Sequence, residues 1–360
     1  MNLQPYLDDL ESRISPTDEE ALERQWLSFS DLEWNGPFFA PARPARPAGR
    51  EWPKVVVNDA IDDLDQMVYS QLRMCSDMLA DGTGELLCVR ANYGTGIIPS
   101  MFGAEVFIMP REHDILPGTR PLPDGKTGIR AILEKRETNF SAGLAGRVFA
   151  LAERYGELTR DYPNISRFVN VYDPDLQGPL ALCEAMWGSE LYMDLYDDEE
   201  TVTAALDFLT DTYIAFTKKW KAVRPDFDGG HAVEWGMLHR GGTIIRNDAA
   251  MNISGDMYEE FIMPRDQRIL DEFGGGVHFC GRGDHYIHHL AGLNSLSVIN
   301  LSQPECNDME VIYQNTVDRD IIIIGLRSDE VKRAVECGRD LRGRVNSGAS
   351  MAAWVEKEKR

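Results

Sequence analysis

From Val55 onward, short apolar runs alternate with long amphipathic segments, and this alternation constrains the fold more than any other feature of the chain. The apolar runs are "KVVVND", "ELLCVRAN", "RFVNVYD", "GGTIIRND", "GGVHFCG", "LSVINLS", "DIIIIGL" and, weakest, "GRVNSG". Between them, Val202, Leu206, Leu209, Tyr213, Phe216 and Trp220 recur at helical spacing. Tyr258, Phe261, Ile262, Ile269 and Phe273 do the same behind Ser254, a residue suited to cap a helix. Repeated strand and helix units of this length predict an α/β fold. Eight of them fit a closed (β/α)8 TIM barrel over residues 54–360, and the same alternation also fits an open doubly wound sheet. No GxGxxG follows a strand, which disfavours a dinucleotide fold.

Residues 1–53 read differently. The first 33 or so are helical in pattern, with Ser15 as a cap, Pro16 at the first helical position and Asp18, Glu19 and Glu20 at the positive helix end. "NGPFFAPARPARPAGREWP" is too rich in proline for a helix or a central strand. It predicts an extended, ordered arm packed on the barrel, anchored by "PFF" and Trp52.

The net charge of −22 repels polyanions, so a nucleic acid is not an expected partner. No apolar run approaches the roughly 20 residues that span a bilayer, and the N-terminus lacks a secretory pattern, so the expectation is a cytoplasmic protein with no membrane partner. Cys75, Cys88, Cys183, Cys280, Cys306 and Cys337 are scattered, which suits free thiols or metal ligands better than a disulfide framework.

In a barrel, the C-terminal strand ends form one rim where chemistry is expected. Polar residues fall there at nearly every strand: Asp59, Arg90, Asn92, Tyr93, Asp175, Arg246, Asp248, Asn300, Gln303 and Arg327. Arg90, Arg246 and Arg327 offer forked donors for substrate carboxylates, or else pair with nearby aspartates. In "GGGVHFCGRGDH", His278 and Cys280 alternate on a strand and can face one ion, although the pair also fits a buried thiol beside an imidazole. Cys306, or Glu305 in its place, lies beyond the adjacent strand and would complete a zinc set with one open position. His285 is close enough in sequence to act as an acid, a base or a support for a ligand.

"RNDAAMNISGDMYEEFIMPRDQRILDEFGGGVHFCG", together with "DPDLQGPLALCEAMWGSELYMDLYDDEETVTAALDFL" and "VRANYGTGIIPSMFGAE", resembles the uroporphyrinogen decarboxylase superfamily over roughly Val55 to Ala349. The resemblance implies a (β/α)8 barrel and one of two chemistries. The decarboxylase branch uses an arginine-rich N-terminal motif and an aspartate after the second strand; this chain has "VVVNDAIDD" and "VRANYG" at those places. The branch similar to corrinoid-dependent methyltransferases binds zinc through H-x-C and a cysteine after the last strand. His278 and Cys280 match the first two ligands. The last strand offers Ser347, Ala349 or Ser350 where the third belongs, so Cys306 is expected to replace it, ahead of Cys337.

The leading expectation is therefore zinc-dependent methyl transfer from a corrinoid or small donor to a thiol, possible partners being a corrinoid protein and a second copy of the chain. Asp248, His285 and Asp59 would act as polar catalytic groups, and Arg90, Asn92, Tyr93, Arg246, Asn300, Gln303 and Arg327 would bind the small-molecule substrate. The alternatives are a cofactor-free decarboxylase of a tetrapyrrole or small acid, and a corrinoid- or tetrapyrrole-binding protein without catalysis.

Overall fold

The structure is a computed structural model that describes residues 1–348 of 360; Ala349, Ser350 and the charged tail lie outside the described residues. Its strands are β1 (Cys88–Val89), β2 (Val106–Phe107), β3 (Gly118–Thr119), β4 (Asn170–Val171), β5 (His231–Glu234), β6 (Met237–Arg240), β7 (Thr243–Arg246), β8 (Gly275–Phe279), β9 (Leu296–Leu301), β10 (Ile322–Arg327) and β11 (Val345–Gly348). The chain is an α/β protein whose main sheet has the all-parallel order β11-β10-β9-β8-β7. β1 and β4 form a second parallel pair, and a single parallel bridge from Gln177 to Arg246 joins the segment after β4 to the main sheet.

The helices form where their patterning requires. The predicted stripe from Val202 to Trp220 is buried along the helix Glu199–Val223. Asp63 caps the helix Leu64–Asp81 by accepting from Asp65 and Gln66, and Gly82 ends it at φ +67°. Ser254 accepts from the Met257 N–H at 3.2 Å, as its position predicts. In the N-terminal segment the pattern divides into two helices, Gln4–Arg13 and Pro16–Ser30.

Period-two alternation sorts the main sheet into two faces. Ile245, Val277, Ile299 and Ile323 pack into the larger apolar cluster with the surrounding helices. Ile244, Val298, Ile322 and Ile324 face the opposite way and pack with Trp26, Phe29 and Phe39 from the arm. The antiparallel hairpin β5–β6, which the sequence patterning did not reveal, sends Val233, Trp235, Met237 and Leu238 into that second cluster.

"KVVVND", expected as the first strand, is not one: Lys54 to Val56 have no regular structure and a short helix follows at Val57–Ala60. The Asp114 carboxylate accepts the Val57 N–H at 2.8 Å, satisfying with a side chain what a sheet neighbour would otherwise satisfy. The proline-rich arm takes up the edge instead. Phe39 bridges Asn346 in parallel, donating to Val345 O at 2.8 Å and accepting from Ser347 N at 2.7 Å. Beyond it the Arg43 N–H donates to Gly82 O at 3.2 Å and its guanidinium reaches the Thr83 and Glu85 carbonyls, while Trp26 Nε1, from the preceding helix, reaches Gly84 O at 2.8 Å. The described pairings are therefore sheets of five and two strands extended by single bridges, and a fully hydrogen-bonded eight-stranded barrel is not among them. No helix of the described residues is long and apolar enough to cross a membrane.

Candidate metal centre

Parallel register places Arg246, His278 and Asn300 side by side on β7, β8 and β9, all on the face that carries Ile244 and Val298 one step below. His278 sits at the centre of this row and is buried. Its Nδ1 lies 2.5 Å from Asn300 Oδ1, and Asn300 Nδ2 donates to Ile324 O at 2.7 Å. Because the amide nitrogen is committed to a carbonyl, the amide oxygen must face the ring, so His278 carries a proton on Nδ1. Nε2 then points at two further groups, Asp248 Oδ1 at 3.3 Å and Cys280 Sγ at 3.5 Å. Gln177 Nε2 holds the other Asp248 oxygen at 3.1 Å.

Three electron-rich atoms converge here, with one donor atom from each of Asp248, His278 and Cys280 lying within 4.8 Å of the others. Asp248 Oδ1 is a buried atom whose near neighbours are His278 Nε2 at 3.3 Å and Cys280 Sγ. Facing lone pairs at these distances repel unless a positive charge sits among them, either a proton or a metal ion. The proton alternative appears in the titration of the pair. Burial disfavours the imidazolium, but the hydrogen bond to Asp248 and the neighbouring Cys280 outweigh it, so His278 is pushed up to about 10. Burial raises the Asp248 carboxyl, and His278 more than reverses this, holding it well below the usual carboxylate range. The metal alternative suits the donor set, since one imidazole nitrogen, one thiolate and one carboxylate fit zinc with a position left for substrate.

The third member of this group is Asp248, not Cys306 or Glu305. Gln303 accepts the Gly281 N–H at 2.5 Å, and in the tight turn Pro304–Cys306 that follows Pro304 is buried while Glu305 and Cys306 are exposed. Glu305 pairs with Arg327 at 3.0 Å.

The three arginines expected to bind substrate carboxylates each meet carboxylates of the chain itself. Asp175 bridges two of them, meeting Arg246 Nε at 2.7 Å and Arg90 Nη1 at 3.0 Å. Arg246 also meets Glu234 at 3.0 Å, Arg90 holds Asn92 Oδ1 at 2.8 Å, and Arg327 contacts Asp329 as well as Glu305. Tyr93 is a core residue of the outer cluster. Asp59 pairs with Arg111 at the surface. His285 Nε2 is bound to Ile253 O at 2.9 Å, which makes it a tether for the chain after Asp248.

Two residues that the sequence reading missed form the floor of the site. The hairpin turn Trp235–Gly236 has both φ angles positive, at 52° and 79°, the pattern of a tight two-residue connection. Trp235 places its ring 5.4 Å from that of His278 and 5.0 Å from the Arg246 guanidinium carbon, and Glu234 beside it is 1% exposed. The available signal was "EWGM", whose glycine follows a bulky residue in the manner of a turn.

No protein-family model matches the chain. In sequence it is 26% identical over 156 residues to the methylcobamide:CoM methyltransferase MtbA of Methanosarcina acetivorans; the match covers 41% of this chain and 39% of that protein. In structure it is similar to a methyltransferase from Methanosarcina mazei, with a TM-score of 0.59, 14% identity and coverage of 94% of this chain and 96% of the other. The chain thus resembles the corrinoid-dependent methyltransferase-like branch of the uroporphyrinogen decarboxylase superfamily.

Proposed function

We propose that the chain is a methyltransferase that moves a methyl group from a corrinoid or a small donor to a thiol, at a zinc ion held by His278, Cys280 and Asp248. The observation that carries this reading is the convergence of one imidazole nitrogen, one thiol sulfur and one carboxylate oxygen within 4.8 Å of one another. Zinc bound by these groups would supply the Lewis acidity that keeps a substrate thiol deprotonated near neutral pH. The protein's own contribution is orientation. Asn300 keeps the proton of His278 on Nδ1, so that Nε2 remains a ligand, and Gln177 holds one oxygen of Asp248 so that the other faces the site. Trp235, with its ring 5.4 Å from that of His278, forms the apolar floor beneath.

The pairing of Arg90 and Arg246 with Asp175 and Glu234, and of Arg327 with the exposed Glu305 and Asp329, weighs against decarboxylation, which needs cationic groups for substrate carboxylates. We read the strands as a (β/α)8 barrel in which the arm, through Phe39 and Arg43, takes the place of the first strand. A corrinoid protein is the expected partner. The test combines zinc analysis of protein purified without chelator with an assay supplying methylcobalamin and a panel of small thiols, CoM among them. Near-stoichiometric zinc and thiol methylation support the proposal. Protein that binds no zinc and methylates no thiol refutes it.

A further inference from the structure

Asn247 separates Arg246 from Asp248, and its side chain leaves the sheet on the opposite side from theirs. Its backbone marks where the strand ends: the N–H donates to His278 O at 2.8 Å in ladder fashion, while the C=O already accepts from Ala250 N at 3.1 Å in the tight turn that carries Asp248. Whatever holds Asn247 therefore sets where Asp248 departs. Its side chain is held by Asp266, whose Oδ2 accepts from Asn247 Nδ2 at 2.5 Å and from the Tyr258 hydroxyl at 2.6 Å. All three residues are buried, Asp266 with 0% exposure. On the other side Asn247 is confined by Gly178, where an added Cβ would lie 2.2 Å from Asn247 Oδ1.

The helix bearing Asp266 contains a π-helical turn at Tyr258–Ile262. In a regular α-helix, residues eight apart sit about 80° from each other around the axis. A π turn absorbs one residue and brings such a pair to within about 20°, so Tyr258 and Asp266 share one side and grip the same amide. A π turn strains a helix and is typically retained where a side chain must be aimed. Nothing in the proposed chemistry uses Tyr258 or Asp266 directly.

We infer that Tyr258 and Asp266 are positioning residues which, by clamping Asn247, hold Asp248 in place as the third ligand of the metal group. This rests on the reading of Asp248, His278 and Cys280 as that group. The test is cobalt(II) titration of the full chain, following the absorption bands that report on cobalt's ligands, for the parent and for Asp266→Ala, Asp266→Asn and Tyr258→Phe. Because Oδ2 alone accepts both bonds, an asparagine with its oxygen at that place preserves the grip, and Asp266→Asn should match the parent in affinity and spectrum. Asp266→Ala should bind about 10-fold more weakly with shifted bands, the size expected when support behind a ligand is removed. Tyr258→Phe, which removes a single oxygen and keeps the ring stacked on Tyr286, should move in the same direction and serves if the alanine variant does not fold. If the parent binds cobalt and neither Asp266→Ala nor Tyr258→Phe changes affinity or bands, the clamp is overturned while the metal reading stands. If the parent binds no cobalt, both fall.

Discussion

Replacing Arg246 by methionine tests the reading that this arginine belongs to an internal charge network. Arg246 is 2% exposed and Glu234 is 1% exposed, with contacts of 3.0 Å to Glu234 and 2.7 Å to Asp175. At an effective dielectric constant of about 20, one contact at 3 Å corresponds to about 5 kcal/mol of attraction. The net effect of the substitution is smaller, because desolvation of the guanidinium is regained and both carboxylates have an escape. Burial raises the Glu234 carboxyl and Arg246 draws it back down, so without Arg246 the carboxyl takes up a proton more readily and escapes the full cost of a buried charge. Asp175 keeps Arg90. The expected loss is therefore about 3 kcal/mol, the low end of the range for breaking a buried pair. Urea unfolding at neutral pH, followed by circular dichroism, measures it as a lower midpoint at unchanged slope. Adding Glu234→Gln should recover about 1 kcal/mol or more, since the second substitution removes the group left without a partner. A single variant within about 0.5 kcal/mol of the parent, or a double variant no more stable than the single, would refute the reasoning.

Other outcomes follow from the same geometry. Cys280→Ser should abolish stoichiometric zinc, whereas Cys306→Ser should leave it unchanged; elemental analysis of the two variants separates the donor group seen here from the one expected at Cys306. Burial raises the Asp266 carboxyl to about 7, although Tyr258 and Asn247 hydrogen bonds oppose the rise. The folded state thus binds this proton more tightly than the unfolded state, so the stabilisation is complete below the ordinary carboxylate pKa and is lost as pH rises toward 7, by about 4 kcal/mol at most. Asp266→Asn should flatten the unfolding free energy across that window, and a parent and variant with parallel pH profiles would show that Asp266 does not titrate there. Phe39→Ala should cost about 3–5 kcal/mol, because the fully buried ring joins the arm to the second cluster, with Ile244 and Val298; unfolding at the parent's midpoint would show the arm to be dispensable.

Much of the architecture was legible along the chain because it depends on local periodicity. The runs that became β7 to β10 are short continuous apolar segments because both faces of the sheet are buried, the stripe from Val202 to Trp220 carries the helical period, and Ser254 caps the helix start that its position predicts. His278 and Cys280 were legible for the same reason, since alternate residues of a strand share a face whatever surrounds it. "KVVVND" misled because β-branched residues fit an extended chain, but a strand also needs a neighbour, and the Asp114 side chain took the N–H that a neighbour would have bound. Long-range approach decided the rest. Whether an arginine binds substrate or an internal carboxylate depends on where Glu234 and Asp175 arrive, and Glu234 arrives on a hairpin whose turn no hydrophobic period announces. Asp248 joined the donor group, and Cys306 left it, because register sets the height of β7 against β8 while the turn Pro304–Cys306 after β9 leaves Cys306 exposed. Ligand sets are properties of distances between strand ends, and those distances exist only once the strands have packed.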